Sequence, residues 1–404
     1  MIPSYPVVLE TSVVTSLSTP DPHPSSETSR LEFNIVTDFG AKGDGITDDT
    51  EAIQQAIDRV YQHGGGTIVF PPGTYVVTSV TLKENITYRG YGATIKRPAH
   101  QDKWTRTFTT HYAGDTNSQP LVVQGFTFDG NQAQQGAYDN HELEQAHLLF
   151  LMGDPDFPGR LQVVVEDCVF KDGVADGISV YTNVDIRVNN CEVINVFRGG
   201  FVLTGGNSSA EVSNLTTQAG SGIDIEVDGR GYGNTLKTDI KLEHINLLDG
   251  DFDIGISEES VVIGDDISSA APFYLYSLNS TMQFAHSRFK VGAADGYINR
   301  MVFPHHITFE DCEFEVTRQN TENPHDFYAA ADVWWQHPSQ PTQRNQQLIF
   351  KDCSFHVDQT IQPTDLTYAI YLRSDSSNNN NQLVMEGNMI SDQFDSQIMK
   401  EPLL

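Results

Sequence analysis

The sequence predicts an all-β fold, a single-stranded right-handed parallel β-helix (a solenoid) with an N-terminal capping α-helix. Three observations lead to this prediction. A short strand motif recurs along the chain at intervals of roughly 20–25 residues, a spacing typical of solenoids. A second strand, introduced by glycine or another small residue, follows the motif in most repeats. A single amphipathic helix precedes the repeats, and the remaining apolar patterns are those of strands.

The N-terminal segment is expected to differ from the rest of the chain. Residues 1–30 are rich in Ser, Thr and Pro and have little apolar surface to bury, so they are expected to form a flexible arm. Residues 31–404 are expected to form one β-helix domain. Near its start, Asp48 and Glu51 have the spacing of a capping box, and 63–66 supplies glycines that end a helix. The apolar stripe between them is Ile53, Ala56, Ile57 and Val60.

The repeated motif is a strand with a small residue at its fourth position. Its copies are Val165–Phe170, Val188–Val193, Phe309–Phe314 and Phe350–Phe355, with weaker copies at Val212–Thr217, Leu242–Leu247, Val262–Ile267 and Phe284–Phe289. All four cysteines, Cys168, Cys191, Cys312 and Cys353, occupy that fourth position. We therefore expect reduced thiols stacked as small apolar groups in the core, and no disulfide.

The second strand of each repeat alternates inward and outward side chains. The inward residues are Ile178, Phe201, Ile223 and Ile225. The outward residues, on one shared sheet, are Ser179, Tyr181, Asp224, Glu226, Tyr274 and Tyr276.

Carboxylates on this outward face are the strongest candidates for chemistry. Asp224, Glu226 and Asp228 share one strand, and Asp253 should lie beside Asp224 on the next turn, because Ile225 and Ile254 align. Like charges at such range raise one pKa, which leaves a protonated acid beside an ionised base. Two carboxyl groups so placed can cleave a glycosidic bond. We expect Asp224, Glu226 and Asp253 to be catalytic.

Two other interpretations of these carboxylates remain open. Asp224 and Asp228 could ligate Ca²⁺, a cation that takes oxygen ligands, or the group could be solvated residues on an acidic surface. The cofactor is therefore none or Ca²⁺.

A polysaccharide is the partner that the surrounding residues suggest. Tyrosine and tryptophan rings offer stacking faces for sugars, and arginines can bind acidic groups. The candidate substrate-binding residues are Tyr181, Arg198, Tyr274, Tyr276, Arg300, Trp334 and Trp335.

The charge balance excludes other partners. The formal net charge is −30, which gives a nucleic-acid backbone or an anionic membrane surface little to attract, and no apolar run is long enough to span a bilayer. We expect no nucleic acid and no membrane as partners. No secretory signal is visible at the N-terminus. The expected location is extracellular or on a virion. A mature fragment, a protein exported by lysis or a virion component would also show no signal.

Two segments, Asp38–Ile53 and Gly64–Tyr75, resemble the N-terminal signature of the pectate-lyase-like β-helix superfamily. That superfamily includes polysaccharide lyases, glycoside hydrolases, uronate epimerases and phage tailspikes. The resemblance implies a fold in which this segment caps the coil, and it carries no catalytic residue.

The chain departs from one branch of that superfamily. The segment Phe126–Asn131 resembles an early turn of the mannuronan C5-epimerases, which carry a catalytic Asp and His on a following strand. The matching strand, 176–182, has Ser179 and Tyr181 at those two positions. Epimerase chemistry of that type is therefore not expected.

The leading expectation is a polysaccharide-degrading β-helix that cleaves glycosidic bonds with paired carboxylates. The first alternative is a uronate polysaccharide lyase that uses Ca²⁺ or Arg. The second is a non-catalytic glycan-binding or virion-spike β-helix, which as a phage spike could be a homotrimer.

Overall fold

A computed structural model describes residues 31–110, 119–136, 142–154, 156, 159–227, 237–292, 300–302, 304–317, 328–335, 345–358, 366–374 and 380–402. The expected arm, residues 1–30, lies outside the described residues. No helix among the described residues is long and apolar enough to cross a membrane.

Most of the described residues lie in strands, as predicted. In chain order the elements are β1 (Glu32–Asn34), β2 (Asp44–Asp48), α1 (Thr50–Gln62), β3 (Gly66–Val69), β4 (Gly73–Val76), β5 (Val80–Leu82), β6 (Ile86–Lys96), β7 (Phe108–Thr110), β8 (Leu121–Asp129), a 3₁₀ turn (Gln132–Gln134), β9 (Leu149–Leu151), β10 (Leu161–Glu166), β11 (Val169–Gly173), β12 (Ile178–Val180), β13 (Val184–Leu203), β14 (Ser209–Val227), β15 (Asp239–Ile256), β16 (Val261–Ser269), β17 (Phe273–Ser277), β18 (Thr281–Ala285), β19 (Arg288–Gly292), β20 (Arg300–Val302), β21 (His306–Glu310), β22 (Glu313–Thr317), β23 (Tyr328–Trp334), β24 (Gln347–Lys351), β25 (Ser354–Val357), β26 (Thr367–Ser374), β27 (Gln382–Glu386), β28 (Met389–Ile390) and β29 (Ser396–Pro402).

The strand pairings are parallel and stack into three sheets, one strand of each per turn. Sheet A runs from β1 to β27, sheet B from β2 to β28, and sheet C from β5 to β29. The long strands β13, β14 and β15 pass through all three sheets. This is the parallel β-helix that the repeats predict, with its core enclosed between the sheets.

The corner between sheets A and B explains the repeated motif. The residue before the inward residue that opens the sheet B strand has a left-handed backbone, with φ between 47° and 55°, in eight turns. Asparagine, aspartate and histidine adopt this conformation more readily than most residues. The corner residues are Asp167, Asn190, Asn214, His244, Asp266, His286, Asp311 and Asp352.

The cysteines confirm the predicted core position. Cys168, Cys191, Cys312 and Cys353 are all free and buried. Burial raises the pKa of the Cys168 thiol, which keeps it protonated.

The helix α1 buries the predicted apolar stripe against the first turns of the coil. It ends where Gly65 adopts φ 104° and its N–H donates to the carbonyl of Val60. The predicted capping box is wrong. The N-cap is Asp49, and its carboxylate accepts hydrogen bonds from the backbone N–H groups of Lys42 and Gly43 instead of capping the helix.

Candidate functional site

A groove of about 410 Å³ lies on the outer face of sheet C, across the turns that contain β9, β12 and β13. It is wide enough to receive part of a ligand, and both charged and aromatic side chains face it. The lining residues include Trp104, Arg106, His147, Phe150, Asp176, Tyr181 and Arg198. Two of the predicted substrate-binding residues, Tyr181 and Arg198, therefore share one groove.

The groove contains a buried histidine–carboxylate pair. Nδ1 of His147 lies 2.8 Å from Oδ2 of Asp176, and each side chain is at most 3% exposed. The backbone N–H of Gly199 donates to Oδ1 of Asp176, and Nε of Arg198 lies 3.7 Å from the same oxygen. Burial alone would raise the pKa of Asp176, but His147, Arg198 and Ser179 outweigh it and hold the pKa below the ordinary value.

Aromatic rings and a second arginine complete one wall of the groove. The guanidinium of Arg106 lies 3.6 Å from the ring centroid of Phe150. The ring of Phe150 stacks against those of His147 and Tyr181, at centroid distances of 5.5 and 6.5 Å. A flat apolar face edged by guanidinium groups can hold a sugar ring that carries an acidic group.

Asp176 and Arg106 were not predicted as site residues, and His147 was a possible residue for a lyase that no sequence motif singled out. Asp176 precedes β12 and His147 precedes β9, so both lie at corners. Inward–outward alternation applies only within a strand, and it therefore gives no signal at these positions. An aspartate and a histidine at equivalent corners of successive turns would have been the available clue.

The predicted carboxylate set lies on the same sheet, next to the groove. Asp224 is the register partner of Val202, a groove residue, on one side and of Asp253 on the other. Glu226 is the register partner of Gly255, which has no side chain to compete for the space. The structure thus brings Asp224 and Asp253 together as the alternation predicts.

Asp224 has the electrostatics of an acid. The residue is partly exposed, but its Oδ1 is buried and accepts no hydrogen bond within the described residues. Burial, then the charges of Glu226 and Asp253, raise the pKa of Asp224 to about 8. Asp176 adds to this increase in the pKa and Arg198 opposes it. The charges of these groove residues therefore influence the protonation of Asp224.

The expected calcium ligands gain no support from the described residues. Asp228 lies outside them, and no group of three or more His, Cys, Asp or Glu side chains within them could hold a metal ion.

The aromatic candidates divide between surface and core. Tyr276 is only 5% exposed and packs with Val302, next to Tyr274 and Trp334. Trp335 is part of the main core and 6% exposed. The prediction that it offers a face to a sugar is therefore wrong, because alternation along β23 turns it inward.

Arg300 and Trp334 lie on sheet C but away from the groove. Register partners step from Asp253 to Tyr274 on β17, then to Arg300 on β20 and to Asp332 on β23. Arg300 is thus two turns beyond Asp253, and Trp334 on β23 is three turns beyond it.

Comparison with known proteins agrees with the fold. Residues 33–119 match a family model described as "Rhamnogalacturonase A/epimerase, pectate lyase-like". The A-module of mannuronan C-5 epimerase AlgE6 from Azotobacter vinelandii has a similar structure, with a TM-score of 0.59 and 17% identity over 92% of this chain and all of that one. Residues 33–119 therefore resemble this family, and the described residues share the parallel β-helix fold of the A-module.

Two further proteins are similar to the chain. It is 28% identical to mannuronan C5-epimerase AlgE1 of Azotobacter vinelandii over 257 residues, which are 54% of this chain and 18% of that protein. PfbA, a surface adhesin of Streptococcus pneumoniae, matches with a TM-score of 0.55 and 16% identity over 93% of this chain and 96% of that one. The chain therefore spans less than a fifth of the length of AlgE1.

Proposed function

We propose that this pectate-lyase-like β-helix acts on a polysaccharide and cleaves its glycosidic bonds with Asp224 and Asp253. The observation that carries the proposal is the pKa of Asp224, raised to about 8 beside a second carboxylate on the same outward face. A carboxyl group that keeps its proton at neutral pH can act as a general acid.

The reaction follows from the placement of the two groups. Asp224 donates its proton to the glycosidic oxygen as the bond to the anomeric carbon breaks. The ionised Asp253 attacks that carbon, and water activated by Asp224 then releases the sugar. Register partners in a parallel sheet lie ~4.8 Å apart, near the ~5–5.5 Å carboxyl separation of retaining enzymes.

Glu226 is the alternative base. It lies two positions after Asp224 on β14, ~6.5–7 Å along the strand, which matches the wider carboxyl spacing of inverting enzymes. The two pairings predict opposite stereochemistry, so the anomeric configuration of the first product distinguishes Asp253 from Glu226.

A second candidate reaction is β-elimination on a uronate, favoured by the His147–Asp176 pair. Asp176 fixes the ring of His147, and Arg198 lies beside them to bind a sugar carboxylate. In this reaction His147 takes the proton from the carbon next to the carboxylate. The electron pair of the broken carbon–hydrogen bond forms a carbon–carbon double bond. The glycosidic oxygen leaves and takes a proton from Asp224.

Similar proteins support a polysaccharide as the partner. AlgE1 is by name an epimerase of mannuronan, a polysaccharide. PfbA is described as a surface adhesin, so binding without cleavage is the non-enzymatic alternative. An extracellular or virion-associated location is part of the same proposal, and so is a homotrimer if the chain is a phage spike.

The test is a panel of neutral and acidic polysaccharides, incubated with the wild type, Asp224→Asn and His147→Gln. New reducing ends without ultraviolet absorbance, lost in Asp224→Asn, would support hydrolysis. Unsaturated products that absorb in the ultraviolet, lost in His147→Gln, would favour elimination. Binding without cleavage of any polysaccharide would overturn both reactions and leave the adhesin-like role.

A further inference from the structure

A compact cluster of two arginines, one aspartate and one tryptophan lies on sheet C, away from the groove. Nε of Arg373 lies 2.8 Å from Oδ1 of Asp332, and the indole N–H of Trp334 donates to Oδ2 over 2.8 Å. The guanidinium of Arg300 lies 4.8 Å from the ring centroid of Trp334, and that of Arg373 lies 4.9 Å from it. We call these four residues the arginine–tryptophan cluster.

The cluster holds more positive charge than its aspartate needs. Asp332 is completely buried and already accepts short hydrogen bonds from Arg373 and Trp334. Nε of Arg300 is 3.6 Å from Asp332, too far for a hydrogen bond, and that nitrogen makes none within the described residues. Arg373 alone therefore balances the charge of Asp332, and Arg300 is not needed for that purpose.

The two guanidinium groups are presented at the surface. The side chains of Arg300 and Arg373 are 30% and 22% exposed, whereas Asp332 is buried beneath them. The cluster contains two arginines and one aspartate, in a chain with a formal net charge of −30, and the register partner of Arg373 on the next turn is Glu401. Cation–π contact with the indole ring restricts both guanidinium groups, which lowers the entropy lost when an anion binds.

We propose that the arginine–tryptophan cluster is a second glycan-binding site, which takes an anionic substituent, a carboxylate or a sulfate, of a saccharide unit. The site rests on the proposed function only in taking a glycan as its ligand. Guanidinium groups bind both anions through paired hydrogen bonds.

The position of the cluster suits one extended chain. Trp334 is three turns beyond Asp253, and turns are ~4.8 Å apart, so the cluster and the carboxylates are ~14 Å apart along sheet C. Tyr274 lies on the row between them. A saccharide chain along the sheet would be held at the cluster while another of its units reaches Asp224 and Asp253.

The experiment measures binding, not cleavage. In an Asp224→Asn background, calorimetry would compare polygalacturonate, dextran sulfate and neutral dextran. We expect at least one anionic polymer to bind, dextran not to bind, and Arg300→Gln to weaken binding at least about tenfold. The polymer that loses more affinity identifies the anion. The matched control is Arg288→Gln, which removes an equal charge from sheet B and should leave the affinity unchanged.

A second readout covers the case in which Arg300→Gln does not fold. The fluorescence of Trp334 should change when the bound polymer is added, and this change should be absent in Trp334→Phe. Equal losses in Arg300→Gln and Arg288→Gln would overturn the proposal, as would binding of dextran with equal affinity, or no binding of either anionic polymer. Cleavage by the wild type is assayed separately. The binding results therefore test the cluster even if the proposed cleavage does not occur.

Discussion

Asp224 and Asp253 are register partners on β14 and β15, and each has one carboxyl oxygen buried from solvent. Like charges directly opposite each other destabilise a sheet, and burial adds to the cost. Such a pair is the pattern expected where a site trades stability for function.

Asp224→Asn should make the protein more stable, and the gain should depend on pH. The pKa of Asp224 rises from an ordinary value of 3.8 to about 8 in the folded state. Between these values the unfolded chain releases the proton and the folded one keeps it, so the wild type loses stability as pH rises through this window. Urea denaturation should therefore show a larger gain from Asp224→Asn at pH 8 than near pH 4.

The control for this substitution is Asp239→Asn, which removes a carboxylate that is 52% exposed. Its stability should stay within about 0.5 kcal/mol of the wild type at both pH values, as is usual for surface changes. A loss of stability in Asp224→Asn at pH 8 would make Asp224 a structural residue.

Activity should fall as the pH rises through about 8. Asp224 acts as the proton donor only while it is protonated, and its pKa of about 8 sets the upper limit. A pH–rate profile on the best polysaccharide of the panel would check this. A rate that stays constant well above pH 8 would show that Asp224 is not the acid.

A buried and an exposed histidine–aspartate pair should differ in how much they stabilise the protein. His147–Asp176 is buried, whereas His286–Asp265, with a distance of 2.7 Å, has side chains that are 65% and 46% exposed. Asp176→Asn should destabilise the protein by about 3 kcal/mol, because a buried polar partner is lost, and Asp265→Asn should change little.

The sign of the pH dependence follows from the lowered pKa of Asp176. Its stabilising effect is present above the ordinary carboxyl pKa and is lost as pH falls through the folded value. The difference between wild type and Asp176→Asn in urea denaturation should therefore shrink in acid. Equal effects of Asp176→Asn and Asp265→Asn at neutral pH would contradict this account.

All four cysteines should titrate as free thiols when no reductant is present. All four cysteines are free and buried, so a thiol reagent should react slowly with the folded protein and find four thiols in denaturant. Finding two or none would mean that disulfides form between turns.

The sequence predicted the fold and the register of the carboxylates, because both follow from local alternation and period. Ile225 and Ile254 face the core, and their alignment places Asp224 beside Asp253. The same rule, applied to Val333, would have turned Trp335 inward.

The remainder of the site could not be derived in that way. Asp176 and His147 lie at corners, where the backbone path and not the period sets the direction of a side chain. Their pairing depends on how two successive turns stack, and that is a property of the coil rather than of either segment.

The corner between sheets A and B has a consequence for how such proteins diversify. Only His286 and Ser287 separate β18 from β19, and Asp311 and Cys312 alone separate β21 from β22. The connections that lead into sheet C vary in length instead: residues 174–177 lead to β12 and 270–272 lead to β17. Insertions and deletions can accumulate there without shifting the core, so recognition can change between descendants while the coil is inherited intact. An engineer who wishes to graft new loops would choose the edges of sheet C and leave the other corner unaltered.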